Sequence, residues 1–175
     1  MNIRPITKPH AEEYAPYYDR YISLVNGVDI VDTLQKQIRE TTALLRSRSG
    51  QDGEIRYAPG KWSAKEILGH LIDSEQILAY RALRIARNDK TPIEGFEQDD
   101  YVRNGPFANC RLADLSAQFG DVRKTTVALF RNLDEEAWDR RGVANQNEVS
   151  VRALAYIIAG HELHHRAILQ QKYFM

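Results

Sequence analysis

The chain has 175 residues, and its 24 lysines and arginines balance 24 aspartates and glutamates, so the formal net charge at pH 7 is zero. This is the length of one ordinary domain with a hydrophobic core. Balanced charge argues against a general nucleic-acid binder and against polybasic attraction to a membrane. No apolar run in the sequence approaches the roughly 20 residues that span a bilayer. The first residues lack the apolar core of a signal peptide, so we expect a cytoplasmic protein.

Tyrosines are concentrated in the N-terminal segment, residues 1–28, which contains Tyr14, Tyr17, Tyr18 and Tyr21. Tyr17 and Tyr21 are four positions apart, as on one face of a short helix. A segment this aromatic is expected to pack across the body of the protein rather than to extend into solvent. We therefore expect residues 1–175 to form a single domain with this segment packed on it.

Four long segments show apolar residues at steps of three and four, the pattern of amphipathic helices. The second begins at a capping box in which Ser63 is the N-cap and Glu66 is the third helical residue. Strand-like alternation is almost absent, and residues 145–148 are interpreted as a polar loop. The pattern predicts an all-α protein, a four-helix bundle. The predicted helices cover about residues 29–46, 63–88, 112–133 and 150–171.

Histidines on apolar helix faces are the most informative feature of the sequence. His70 lies on the apolar stripe of the second helix, and His161 and His165 lie one turn apart on that of the fourth. A buried imidazole needs a polar partner, and one divalent metal would satisfy three at once. Cys110 is the only cysteine, so a metal would have to be held by histidine or carboxylate side chains. We predict a metal site at these three histidines, with ordinary core histidines as the alternative.

A fourth histidine, His164, leaves a second ligand set open. It is rotated by about 100° from His165 around the helix, so we expect it to flank the site. The pair His161 and His164, which are three positions apart, is the alternative ligand pair.

The depth of the histidines within their helices predicts the topology of the bundle. His70 and His165 each lie about 10 Å from a helix end, so their rings meet only if the second and fourth helices are antiparallel. This requires up-down-down-up order with a long crossover between the second and third helices, where the break from Asp89 to Cys110 falls. Crossover residues expected to form the pocket wall are Phe96, Glu97, Asp99, Asp100, Tyr101 and Arg103.

Residues 161–165 also match the H-E-x-x-H pattern of zincins. Zincins take a third ligand downstream, but no His, Asp, Glu or Cys follows His165 in the sequence, so a classical metalloprotease is disfavoured. Glu162, Asp73 and Glu75 are the candidate catalytic carboxylates, as a general base or as groups that orient a ligand. Ordinary surface charge is the more frequent reading for each.

Residues 60–75, 81–84 and 161–169 resemble the DinB-like (DinB/YfiT) family of candidate metalloenzymes. The most specific parts are a histidine in the context W-S-x-x-E-x-x-x-H-L and the later H-x-x-x-H. The resemblance covers about residues 30–170 and implies a single DinB-like domain with an up-down-down-up bundle. It also implies a divalent metal, most often zinc or nickel, held by His70, His161 and His165.

The resemblance further implies a reaction, because some members of the family are thiol S-transferases. We expect a metal-dependent transferase of a low-molecular-weight thiol onto small electrophiles, since a thiol that coordinates a metal is deprotonated. The alternatives are a metal-dependent hydrolase using metal-bound hydroxide and a non-catalytic metal-binding bundle that dimerises. The expected partners are a small-molecule thiol and an electrophilic substrate. A homodimer is also open, whereas neither nucleic acid nor membrane is expected.

Overall fold

The structure is a computed structural model that describes residues 6–26 and 29–175. Residues 1–5, 27 and 28 of the tyrosine-rich segment therefore lie outside the described residues. The four long helices are α2 (Ile30–Arg46), α3 (Ala64–Ala86), α5 (Leu112–Arg131) and α7 (Val151–Ile168). The shorter elements are α1 (Asp19–Ile22), α4 (Gln98–Asn104), α6 (Glu135–Asp139), and the antiparallel strands β1 (Arg141–Ala144) and β2 (Asn147–Ser150). A π-helical turn, Leu169–Tyr173, follows α7.

Side-chain caps set the starts of α3 and α7. Ser63 accepts a hydrogen bond from the Glu66 amide at 3.2 Å, and the Glu66 carboxylate accepts one from the Ser63 amide at 2.6 Å. The Ser150 hydroxyl accepts from the Ala153 amide at 2.9 Å. These bonds satisfy N–H groups that the first turn leaves without a partner. The predicted capping box at the start of α3 is therefore confirmed.

Contacts between α3 and α7 show that these two helices are antiparallel. His70, early in α3, lies 3.0 Å through Nε2 from Nε2 of His161, late in α7. The Tyr173 hydroxyl, beyond the end of α7, donates to the Trp62 carbonyl just before α3 at 2.7 Å. This orientation is the one predicted from the depth of the histidines.

Contacts with α2 complete the helix order. Gln37 of α2 donates to the Ala159 carbonyl of α7 at 2.9 Å, and further along both helices, about one turn on in α2 and two turns on in α7, Arg166 donates to Glu40 at 2.7 Å. The first and last long helices are therefore parallel. The early residues of α3 and α5 share one apolar cluster and their late residues share another, so α3 and α5 are parallel too. The predicted up-down-down-up bundle is confirmed, with the crossover and α4 between α3 and α5.

A β-hairpin replaces the polar loop predicted over residues 145–148. Asn145 and Gln146 both have positive φ angles, 49° and 64°, which is the backbone of the tight turns that match strand twist. The crossover anchors this turn, because the Asn145 amide donates to the Ile93 carbonyl at 2.8 Å and the Ile93 amide to the Val143 carbonyl at 2.9 Å. The hairpin turn and the start of the crossover are thus held together beside α3.

Within residues 6–26 and 29–175, none of the helices has the length and apolar character needed to cross a membrane.

Candidate metal centre and adjoining pocket

Three histidines from two helices form a compact buried cluster. One ring nitrogen each from His70, His161 and His165 lies within 4.8 Å of the other two. The Nε2 atoms of His70 and His161 lie 3.0 Å apart. A tetrahedral ion with nitrogen ligands at about 2.0–2.1 Å places those nitrogens about 3.3 Å apart. The structure thus brings together the three predicted residues at a spacing suited to one divalent ion.

Burial keeps these imidazoles neutral. It lowers the pKa of His70 to about 4 and is the main reason why the pKa of His165 falls to about 3. The pKa of His161 is also well below its usual range, through burial first and then through the neighbouring histidines. Neutral imidazoles present the lone pairs that divalent metals such as zinc and nickel bind.

Hydrogen bonding in the cluster is incomplete in a way that fits a metal. Nδ1 of His165 is buried without a hydrogen-bond partner among the described residues, which is unfavourable for a purely structural imidazole. Nδ1 of His70 lies 3.3 Å from the Ser74 hydroxyl, and this contact orients the ring so that Nε2 faces His161. Metal-binding histidines commonly have such a partner on the second nitrogen.

The tyrosine-rich segment reaches the cluster at Gly160. A Cβ atom at this position would lie 2.0 Å from the backbone oxygen of Tyr21, so only glycine lets α1 lie directly against α7. The Tyr21 ring then meets the His161 ring edge-on, with centroids 5.1 Å apart. On the other side, the Trp62 ring packs 4.9 Å from His70. Two aromatic rings therefore shield the cluster from solvent.

His164 lies beside the cluster rather than in it. It is half-buried, and its ring packs edge-on against Tyr21 and His165, with centroid distances of 5.4 and 5.0 Å. The group of three mutually close nitrogens does not include it. This is the flanking position expected from its rotation around the helix.

Two of the three candidate carboxylates are buried. The alternative interpretation, that they are ordinary surface charges, is therefore wrong for these two. Glu162 is fully buried and bonds to the Thr41 hydroxyl of α2, and its Oε1 lies 3.4 Å from Arg166. Glu75 is buried in an ion pair with Arg123, whose Nε is 2.7 Å from Oε1. Sequence periodicity missed this burial because Thr41 and Arg123, the partners on other helices, lie far away in the chain.

Asp73 is the third candidate carboxylate and is half-buried. Burial raises the pKa of its carboxyl group above the usual range. None of the three candidates belongs to the wall of the cavity beside the histidines. Their proposed roles as general base or as a group that orients a ligand stay predictions.

A cavity of about 320 Å³ adjoins the cluster, and His70 and His161 form part of its wall. This volume lies at the lower end of the range for small-molecule sites. Of the predicted crossover residues, Phe96 and Glu97 line the cavity, whereas Asp99, Asp100, Tyr101 and Arg103 do not. The other side chains of the wall include Tyr17, Tyr18, Tyr21, Ser74, Arg81, Asn145 and Asn147.

Sequence reasoning missed the hairpin amides and Arg81 as parts of this wall. Asn145 reaches it because Gly95 leaves room: a Cβ on Gly95 would lie 2.3 Å from the Asn145 Oδ1 atom. Arg81 could have been found from spacing alone. It is eleven residues, or three helical turns, after His70, and therefore lies on the same face of α3.

An up-down-down-up bundle with three histidines gathered on its second and fourth long helices defines a class of helical proteins with a candidate metal centre. The chain belongs to the DinB superfamily, whose family model matches residues 33–169. The family predicted from the sequence is thereby confirmed.

Several known proteins are similar to this chain. The chain is 27% identical over 139 residues, 78% of each protein, to an Oceanobacillus iheyensis protein named a putative metal-dependent hydrolase. YfiT from Bacillus subtilis, described as a probable metal-dependent hydrolase with an unusual four-helix bundle topology, matches with a TM-score of 0.70 at 14% identity, covering 94% of this chain and 90% of YfiT. The DinB-like protein YjoA from Bacillus subtilis matches with a TM-score of 0.58 at 25% identity, covering 81% and 86%.

Proposed function

We propose that this protein is a metal-dependent enzyme that holds a divalent metal on His70, His161 and His165 and acts on a small molecule in the adjoining cavity. The observation that carries the proposal is the convergence of three neutral imidazoles, two of which, those of His70 and His161, line a cavity of about 320 Å³. The name of the Oceanobacillus iheyensis relative supports metal dependence. Zinc and nickel are the metals we expect, because both accept nitrogen ligands readily.

The chain's own residues would orient the ligands and exclude water. Ser74 fixes the His70 ring through Nδ1, and the Tyr21 and Trp62 rings cover His161 and His70. A divalent metal with three neutral ligands supplies an uncompensated positive charge, which lowers the pKa of a thiol or a water molecule bound there. The site is therefore suited to activating a nucleophile near neutral pH.

Transfer of a low-molecular-weight thiol to a small electrophile is the reaction that the cavity supports best. Hydrolysis of the zincin type needs a glutamate base beside the metal, but Glu162 bonds to Thr41 and is not part of the cavity wall. Among the described residues of that wall, the only carboxylate is that of Glu97, which is exposed. A thiol needs less help than water, because its usual pKa, about 8.5, is already close to neutrality.

Hydrolysis is the second candidate, and the name of the Oceanobacillus iheyensis relative favours it. In that case water would be the nucleophile, and Glu97 would be the carboxylate in the wall available to accept its proton. The same three histidines would carry either reaction.

Metal analysis of matched histidine variants tests the site. We expect about one equivalent of zinc or nickel per chain in the wild type and in His164→Ala, and loss of that metal in His165→Ala. Plasma mass spectrometry of the purified proteins gives the metal content. Full metal content in His165→Ala would contradict the proposed ligand set, and loss in His164→Ala alone would favour the pair His161 and His164.

Parallel assays of the metal-loaded protein separate the reactions. One follows the loss of several cellular thiols in the presence of a chlorodinitrobenzene electrophile, and the other follows nitrophenyl ester hydrolysis. We expect thiol-dependent turnover that His165→Ala abolishes. Ester hydrolysis without thiol transfer would favour the second candidate, and no turnover in either assay would favour a non-catalytic metal-binding bundle.

A further inference from the structure

Arg81 is a buried cation without a counter-ion. The residue is only 3% exposed, yet within residues 6–26 and 29–175 no carboxylate oxygen lies within 4.0 Å of its guanidinium nitrogens. Its Nη2 donates to the Glu94 carbonyl at 3.0 Å, and its Nε–H is buried without an acceptor. A buried, unpaired charge is strongly unfavourable, so its presence calls for an explanation.

The position of Arg81 explains why it lacks a counter-ion. It lies in the wall of the same cavity as His70 and His161. Three turns of α3 separate it from His70, which places the two Cα atoms about 16 Å apart along one helix face. A molecule in this cavity could therefore have one end at the histidines and the other at the guanidinium.

Aromatic side chains form part of the wall of this cavity, beside polar ones such as Glu97, Asn145 and Asn147. Tyr18, Tyr21 and Phe96 line the cavity, and the Phe96 ring centroid lies 5.9 Å from the guanidinium carbon of Arg81. Aromatic walls favour an apolar body, and a planar guanidinium matches the two oxygens of a carboxylate.

We propose that Arg81 binds the carboxylate of the substrate, and that this enzyme takes small carboxylates with an apolar or aromatic body whose reactive group lies several bonds from the carboxylate. The placing of the reactive group at the histidines rests on the proposed function, but anion binding at Arg81 can be measured without it. A phosphate monoester shares part of this chemistry, and the experiment separates the two.

The test follows the Arg81 Nε–H signal by ¹⁵N NMR, with the signal assigned by its loss in Arg81→Met. Benzoate, 4-phenylbutyrate and hippurate are the carboxylate probes, hippurate methyl ester is the matched neutral probe, and phenyl phosphate is the phosphate probe. We expect at least one carboxylate to shift the signal in the wild type and to bind at least tenfold more weakly to Arg81→Met. Arg81→Lys should recover part of the affinity, and Arg87→Met, an exposed change on the same helix end, should leave it unchanged.

The proposal would be overturned by no response to any carboxylate, by equal affinity in the wild type and Arg81→Met, or by a response to phenyl phosphate only. A response to the ester as strong as that to hippurate would also contradict it. Metal-free and zinc-loaded protein are titrated side by side. A wild type that binds carboxylate through Arg81 but takes up no metal would refute only the proposed function, whereas normal metal content without an Arg81-dependent response would refute only this inference.

Discussion

Two buried arginines, Arg123 in the middle of the bundle and Arg81 in the cavity wall, have contrasting surroundings. The Nε atom of Arg123 is 2.7 Å from the Glu75 carboxylate, and its Nη1 donates to Gln37 at 2.7 Å. Within residues 6–26 and 29–175, the only hydrogen-bond partner of the Arg81 side chain is the Glu94 carbonyl. The comparison teaches that the arginine in the core has both an ion-pair and a hydrogen-bond partner, whereas the arginine beside the cavity has no counter-ion among the described residues.

The other buried polar groups show a weaker contrast. In the middle of the bundle, Oε1 of Glu162 bonds to the Thr41 hydroxyl and lies 3.4 Å from Arg166, but its Oε2 is buried without a partner among the described residues. Nδ1 of His165 is likewise buried without a partner in that part of the chain. The contrast is therefore one between the two arginines and does not extend to every buried polar group.

The largest effect on stability is expected from removing the paired arginine in the core, Arg123. Arg123→Met leaves the Glu75 carboxylate buried without its partner, which should lower the free energy of unfolding by about 3–5 kcal/mol. Urea denaturation measures this loss. Removing both charges, in Arg123→Met/Glu75→Leu, should recover much of it, and a loss below about 1 kcal/mol in the single variant would show that the pair does not support the fold.

The pH dependence of stability tests whether burial keeps the histidines of the candidate metal centre neutral. The pKa values of His70, about 4, and His165, about 3, lie below the usual 6.5, so the unfolded chain binds these protons more readily than the folded metal-free protein. Stability is therefore full above about pH 6.5 and falls as the pH drops toward 4 and 3. We expect a loss of about 2 kcal/mol for each histidine between pH 7 and pH 5.

Urea denaturation of the metal-free protein at pH 7 and pH 5 checks this dependence. The variant His70→Asn/His165→Asn is the control, because it retains every other titrating group of the chain. An equal loss of stability in the wild type and in this control would show that the two imidazoles are not held neutral by burial.

The smallest effect is expected at Arg81. Arg81→Met removes a buried charge that has no counter-ion, so the free energy of unfolding should stay within about 0.5 kcal/mol of the wild type or rise. The measurement is again urea denaturation, carried out without added carboxylate. A loss as large as that of Arg123→Met would contradict the contrast between the two arginines.

Features encoded by neighbouring residues could be predicted from the sequence. The start of α3 follows from Ser63 and Glu66, and the four long helices follow from apolar spacing. The topology could also be predicted, because the depth of His70 and His165 in their helices lets the rings meet only if the second and fourth long helices are antiparallel.

Features that depend on distant partners were missed. The burial of Glu162 requires Thr41, which lies on the first long helix. The hairpin turn at Asn145 is held by the backbone of Ile93, and its strands are too short to show alternation. The missing counter-ion of Arg81 can be recognised only once the whole cavity wall is known.

The histidines of the candidate centre stand on α3 and α7, whereas much of the rest of the cavity wall comes from segments outside the four long helices. Those segments are the tyrosine-rich residues 17–21, the crossover residues 96–98 and the hairpin residues 144–147. Loops tolerate sequence change far better than the helices that carry them. The cavity wall can therefore change in sequence while the histidines on the helices are kept. A lineage, or a protein engineer, could change the shape of the cavity through these segments while keeping the same candidate metal centre.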